Sequence, residues 1–262
     1  MSAWRHISLW MNQLDDDLVP RPSLQGTLDV DVAIAGAGYT GLWTAYYLKL
    51  RAPQLKIAIV EAETAGFGAS GRNGGWLMGN MLGEDRLLAG LSPEQRRASY
   101  DLLHDIPDEV ARVLDREGID CDYRKAGVLY TAARYPEQET RLRDYLKHLH
   151  SEGLTEDDYR WLSKSELAEQ LRIPSALGAI HTPHCATIDP AKLVRGLARA
   201  VERQGTQIFE KSRVTHWAPG LLRTEQGELK AQWVVPAIEG YAADLPPLGN
   251  YQLPVQLSLI HI

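Results

Sequence analysis

Gly36-x-Gly38-x-x-Gly41 has the residue types and spacing to hold the pyrophosphate of a dinucleotide. In such a turn the first glycine permits the tight bend after a strand. The second lets phosphate approach the backbone, and the third lets helix and strand pack closely. Asp31-Val-Ala-Ile-Ala35 before it reads as a buried strand, and Tyr39 to about Arg51 after it as a helix. The amides and positive dipole end of that helix face the phosphates. Lys56-Ile-Ala-Ile-Val60 predicts a second buried strand that ends at Glu61, 25 residues beyond Gly36 (61 − 36). A carboxylate there accepts hydrogen bonds from ribose hydroxyls and repels a 2′-phosphate, which disfavours NADP. Strand, glycine turn, helix and strand make a βαβ unit, whose crossover requires parallel strands.

The next chemistry-bearing run is Gly66-Phe-Gly-Ala-Ser-Gly-Arg-Asn-Gly-Gly75. Its glycines expose backbone amides and allow close approach to a flat ligand, while Ser70, Arg72 and Asn73 add polar groups. A guanidinium suits a phosphate or an electron-rich ring. Trp76, Leu77 and Met78 follow as apolar anchors. A nicotinamide-dependent dehydrogenase would share the fingerprint and the acidic strand end but would not need this loop. His181-x-x-His184-Cys185 offers three potential metal ligands with no fourth, so a structural role and no metal are expected there. Asp101, Asp105 and Asp108 recur at about one helical turn and read as an exposed helix face. The scattered histidines nominate no catalytic base.

The elements that must position these residues follow from pattern and punctuation. Residues 1–27 are polar and aperiodic and read as an extended lead-in; residues 62–91 read as a long loop. Ser92-Pro93-Glu94-Gln95 starts a helix by a capping box, with a break near Pro107 and a stop at Gly118. Residues 119–185 mix strand-like runs (128–131, 178–181) with helical ones (137–150, and from Ser163 onward) and read as a separate α+β region. Asp189-Pro190 then caps a helix with Leu193, Val194, Leu197, Ala198 and Val201 on one face. Lys192, Arg195, Arg199 and Arg203 lie on the other, expected to be its solvated side. A strand at 206–209 follows, then short β segments around Gly220 and Gly227 and a last run at 232–235.

Composition narrows the class. The 262 residues carry a net charge of 28 − 34 = −6, which argues against a nucleic-acid or anionic-membrane binder. Cys121 and Cys185 are too few and too far apart for a disulfide scaffold, so a reducing, cytoplasmic setting is expected. There is no signal-peptide pattern and no apolar run long enough to span a membrane. Ten of the 22 glycines fall between Gly36 and Gly83, where the ligand would lie.

The runs DVAIAGAGYTGLWTAYYL, IAIVEAE and GFGASGRNGGW together resemble FAD-dependent oxidoreductases of the D-amino-acid-oxidase type, in the branch of gamma-glutamylputrescine oxidase-like amine oxidases. The stretches ATIDPAKLVRGLARAVERQGTQIFEKSRV and VVPAIEGYAADLPP match the same family's return to its flavin domain. The resemblance implies an α/β fold, a Rossmann-like FAD-binding domain with a βαβ start plus an α+β substrate domain, both incomplete. It implies that Gly36, Gly38 and Gly41, with Tyr39 and Thr40, hold the pyrophosphate, and that Glu61 and Ala62 meet the adenosine ribose. Gly68, Ser70, Arg72, Asn73, Gly74 and Gly75 would line the FAD toward its ring system, with Val214 at the adenine end. Residues 237–241 depart from the commoner family pattern, with Ile238 offering no polar group to a flavin. The reaction implied is oxidation of a small amine or amino acid: hydride passes from the carbon beside nitrogen to the flavin, the imine hydrolyses, and dioxygen becomes hydrogen peroxide. The oligomeric state is left open.

The resemblance divides the chain into 1–27 (N-terminal extension), 28–91 (FAD-binding domain, first segment), 92–185 (partial substrate or cap domain) and 186–256 (second FAD-binding segment and the start of the return to the substrate domain). Residues 257–262, LSLIHI, equal one reading frame of CTG-TCT-CTT-ATA-CAC-ATC, a transposon mosaic-end sequence used in sequencing libraries. They are expected to be adapter read-through, and the chain to be the N-terminal part of a longer one. A non-catalytic truncated fragment is the remaining alternative.

Overall fold

The computed structural model describes residues 3–246 and 248–250, and the expected adapter segment lies outside them. The chain forms two compact units. The first comprises residues 1–74, 119–121 and 189–262, the second residues 75–118 and 122–188. The boundary expected at 91/92 thus falls within the second unit.

A six-stranded sheet organises the first unit, in the order 214–218, 221–224, 227–236, 26–35, 57–60, 207–209. The last four strands run parallel, while 214–218, 221–224 and 227–236 form an antiparallel meander at one edge. Ile57–Val60 is buried at every position, the pattern of a strand covered on both faces. Ala33, Ala35, Ala58, Val60, Leu222 and Leu229 form the core on one side of this sheet. The fingerprint helix spans Tyr39–Arg51. Lys49 in its last turn is buried and donates to the Pro53 and Leu55 carbonyls at 2.6 and 3.1 Å, a closer tie than a general dipole effect.

Residues 1–27 are not simply an extended lead-in. They form a 3-10 turn at Ala3–His6, a short helix at Leu9–Gln13 and the start of the strand Gly26–Ala35. Met11, Leu14 and Leu18 are buried with Trp4 and Ala191, against Phe67. The apolar residues are too few and irregular to show a period, yet they pack on a surface formed by residues far along the chain.

The helix Pro190–Arg203 begins as the sequence predicts, with Asp189 accepting the Ala191 and Lys192 amides at 2.9 Å each. Its basic stripe is only partly solvated. Arg195 is buried, donating to Asp16 at 3.0 Å and to Thr64 at 3.0 Å, and lies 3.5 Å from the fully buried Glu210. Arg21 also reaches Glu210 at 2.8 Å and grips Glu202. The acidic partners come from segments remote in sequence, so periodicity alone reads Arg195 as an outward residue.

The second unit holds two three-stranded antiparallel sheets, ordered 76–78, 185–187, 124–125 and 128–132, 178–182, 160–163. The expected long loop therefore contains a strand, Trp76–Met78, and a short helix, Glu84–Leu88. The strand exists through pairing with Cys185–Thr187, a partner its own sequence does not announce. Ser92 and Gln95 form the capping box, the break falls at Asp105 just before Pro107, and Gly118 closes the second helix at φ 63°. No helix among the described residues is long and apolar enough to cross a membrane.

Candidate functional site

The strand Gly26–Ala35 sits between 227–236 and 57–60, so its carboxyl end marks a topological switch point, where open α/β sheets bind ligands. Gly36 turns there at φ 102°, and a Cβ on it would lie 2.3 Å from the Ala237 carbonyl oxygen. A Cβ on Gly41 would lie 2.1 Å from the Gly36 carbonyl oxygen. The turn and the helix–strand approach thus both require glycine. Gly38 caps the helix, and the Tyr39 amide donates to Ser70 Oγ at 2.9 Å. The amides of Thr40 and Gly41 precede the first intrahelical hydrogen bond, from Leu42 to Gly38, and so have no acceptor within the helix.

Glu61 closes the other side. Its two carboxylate oxygens accept the Ala37 and Glu63 amides at 2.9 and 3.0 Å, which fixes their direction at the strand tip. Burial pushes the Glu61 carboxyl above its ordinary range, and the two amides oppose this only in part. Nearby, Glu63 pairs with Lys211 at 2.8 Å and with Arg213 at 3.6 Å.

These groups surround a cavity of about 460 Å³. Of the residues expected from sequence, Gly36, Gly38, Tyr39, Thr40, Glu61, Ala62, Gly68, Ser70 and Val214 line it. Gly41, Arg72, Asn73, Gly74 and Gly75 do not. Gly41 acts on the packing beneath. Arg72 is exposed, donates to the Phe67 carbonyl at 2.6 Å and lies over the Phe67 ring at 4.5 Å. Asn73 Nδ2 donates to the Ser70 carbonyl at 3.1 Å, Gly74 is exposed, and Gly75 belongs to the second unit. The wall also includes Glu63, Phe67, Arg213, Ile238 and Tyr241, which sequence reasoning did not assign. The short spacing from Glu61 to Glu63 and from Val214 to Arg213 was the available signal for two of them.

A model described as FAD dependent oxidoreductase (DAO) matches residues 31–262. The chain belongs to this family. The nicotinamide alternative falls with that match, and FAD is the family's cofactor. Among similar proteins is gamma-glutamylputrescine oxidoreductase of Escherichia coli K12, 27% identical over 261 residues, covering 97% of this chain and 60% of that relative. Sarcosine oxidase subunit beta from Arthrobacter is 24% identical over 86% of this chain and 55% of its own length. The crystal structure of glycine oxidase from Geobacillus kaustophilus superposes with a TM-score of 0.65 at 26% identity, covering 85% of this chain and 58% of that one. The chain thus spans a little over half the length of these relatives. The residues present fit FAD: a tight turn that Gly36 and Gly41 alone permit, helix amides for phosphate, and a fixed carboxylate for a ribose.

Among the described residues, His104, Asp158 and His184 in the second unit bring metal-ligand atoms within 4.8 Å of one another. His181 and Cys185 are not in this group. The two imidazoles stack in parallel, 3.7 Å apart at 8°, and His104 Nδ1 and His184 Nε2 lie 3.4 and 3.5 Å from the same Asp158 Oδ1. Burial and then the neighbouring imidazole lower His104 to about 4. It is therefore neutral at pH 7, and its 3.4 Å approach to Asp158 is not an ion pair. Burial would raise the Asp158 carboxyl, but hydrogen bonds from Arg97 and Thr155 more than reverse this and hold it well below its usual range.

Proposed function

We propose that the protein carrying this chain oxidises a small amine or amino acid, and that this chain supplies the FAD-binding part. The observation that carries the proposal is the cavity at the switch point, walled by the fingerprint turn and the Glu61 strand tip in a chain of this family. When bound, FAD accepts a hydride from the carbon next to the amine nitrogen. The chain's own residues orient and retain it. The helix amides at Thr40 and Gly41 meet phosphate charge, and Gly36 and Gly38 let it come close. Glu61, held by two backbone amides, accepts ribose hydroxyls. Gly68, Ser70 and Val214 complete the wall, while Arg72, Asn73, Gly74 and Gly75 act on the loop's shape. The imine product would hydrolyse, and dioxygen would be the final oxidant, released as hydrogen peroxide. Cys121 and Cys185, both buried and not joined in a disulfide, fit a cytoplasmic setting.

Titrating the purified chain with FAD, with NAD as the control, tests the binding. A saturable visible flavin band with no nicotinamide binding is expected, and the reverse would overturn the proposal. Peroxide release across a panel of polyamine derivatives, secondary amines and amino acids, using the longer gene product, then identifies the substrate.

A further inference from the structure

The loop from Thr64 to Asn73 contributes Phe67, Gly68, Ala69 and Ser70 to the cavity wall. A loop so rich in glycine has a large conformational entropy to lose, so something must hold it. Its own hydrogen bonds are short in span: Phe67 to Thr64 at 2.9 Å, Gly71 to Gly68 at 3.3 Å, Arg72 to Ala69 at 3.2 Å, Arg72 Nε to the Phe67 carbonyl at 2.6 Å, and Asn73 Nδ2 to the Ala69 and Ser70 carbonyls at 3.3 and 3.1 Å. The fingerprint turn holds it at two points, through the Gly66 amide to the Ala37 carbonyl at 3.0 Å and the Tyr39 amide to Ser70 Oγ at 2.9 Å, and the N-terminal segment holds it at others.

Ser8 Oγ donates to the Gly71 carbonyl at 2.9 Å while accepting the Met11 amide at 3.1 Å, so one hydroxyl caps the short helix and ties it to the loop. Trp10 Nε1 donates to the Asn73 carbonyl at 2.9 Å. Between them, fully buried Met11 presses its Cε against the loop, 2.6 Å from where a Gly71 Cβ would sit. The loop's other end is tied through Glu210, which accepts from Thr64 Oγ1 at 3.1 Å and from the Ala65 amide at 2.8 Å. That same carboxylate takes the Arg21 amide and guanidinium, each at 2.8 Å. Both ends of the loop therefore connect to residues 8–21.

We infer that residues 8–21 are a strut that sets the shape of the cofactor loop, with Ser8 and Trp10 as positioning residues for FAD. They bond the Gly71 and Asn73 carbonyls and do not line the cavity itself. The inference rests on the FAD reading only for its binding consequence. The ordering of the loop stands apart from it.

The test uses the full chain with Trp10→Phe, which keeps the ring and removes the N–H, Ser8→Ala, and Ser8→Thr, which keeps the hydroxyl. Each lost bond, worth about 1 kcal/mol, corresponds to roughly fivefold weaker FAD binding, and the Trp10→Phe/Ser8→Ala pair to roughly 30-fold. Ser8→Thr should restore parental affinity. Hydrogen exchange of the cofactor-free chain should quicken at amides 66–73 in the pair, with amides of the helix Pro190–Arg203 unchanged. Unchanged affinity with unchanged exchange at 66–73 would overturn the inference. Equal acceleration in the loop and in that helix would also overturn it, because the segment would then be general scaffolding. If the parent chain itself fails to take up FAD, the binding proposal fails, and the exchange result alone decides the strut.

Discussion

A hydrogen atom is all that the side chain at Gly36 can be. Its φ of 102° and the Ala237 oxygen, 2.3 Å from a would-be Cβ, act together. Gly36→Ala should therefore cost about 3 kcal/mol of stability, read by urea denaturation, and abolish the visible flavin band. The stacked histidine predicts a pH effect of definite sign. The His104 value is lowered from 6.5 to about 4, so on acidification the unfolded chain takes up this proton before the folded one. Stability contributed by neutral His104 is complete above pH 6.5 and falls between there and about 4, by about 2 kcal/mol from pH 7 to pH 5. Urea midpoints at these two pH values should converge in His104→Phe, and an unchanged gap would refute the assignment. For Glu61 the sign is that of a raised carboxyl: its protonation starts at higher pH than for a free glutamate. FAD affinity should then weaken on acidification before ordinary carboxylates titrate, a trend that isothermal titration can follow.

At the scale of elements, the helix Pro190–Arg203 shows what pattern reading captures and what it misses. Its apolar face and its Asp189 cap follow from local spacing, and both stand in the structure. Arg195 sits on the polar face by periodicity yet is buried, because Asp16 and Glu210 arrive from opposite ends of the first unit to meet it. Removing one member of a buried charge cluster strands the others, so Arg195→Met should destabilise by about 3 kcal/mol even with its methylenes preserved. A thermal melt decides this, and a shift of less than one degree would count against it. The fingerprint strand, turn and helix were legible because each local signal agrees with the next. The part of Ile238 and Tyr241 as wall of the same cavity as Glu61 was not, since a cavity is assembled from segments about 200 residues apart in sequence.

Taken as a whole molecule, the chain carries the dinucleotide cradle of its family and spans 60% of its Escherichia coli relative. The two long segments of the first unit, 1–74 and 189–262, lie on either side of the second unit in sequence, which has a kinetic consequence. Gly26–Ala35 lies parallel to Gly227–Pro236, with Gly26 opposite Gly227, 201 positions later (227 − 26). At roughly 5–20 residues per second, synthesis leaves the early strand without that neighbour for about 10–40 s. Throughout that interval Val32, Ala33 and Ile34 present an apolar, half-paired edge on the ribosome. This segment is where a chaperone should engage the nascent polypeptide, and slowing translation should lower the soluble yield.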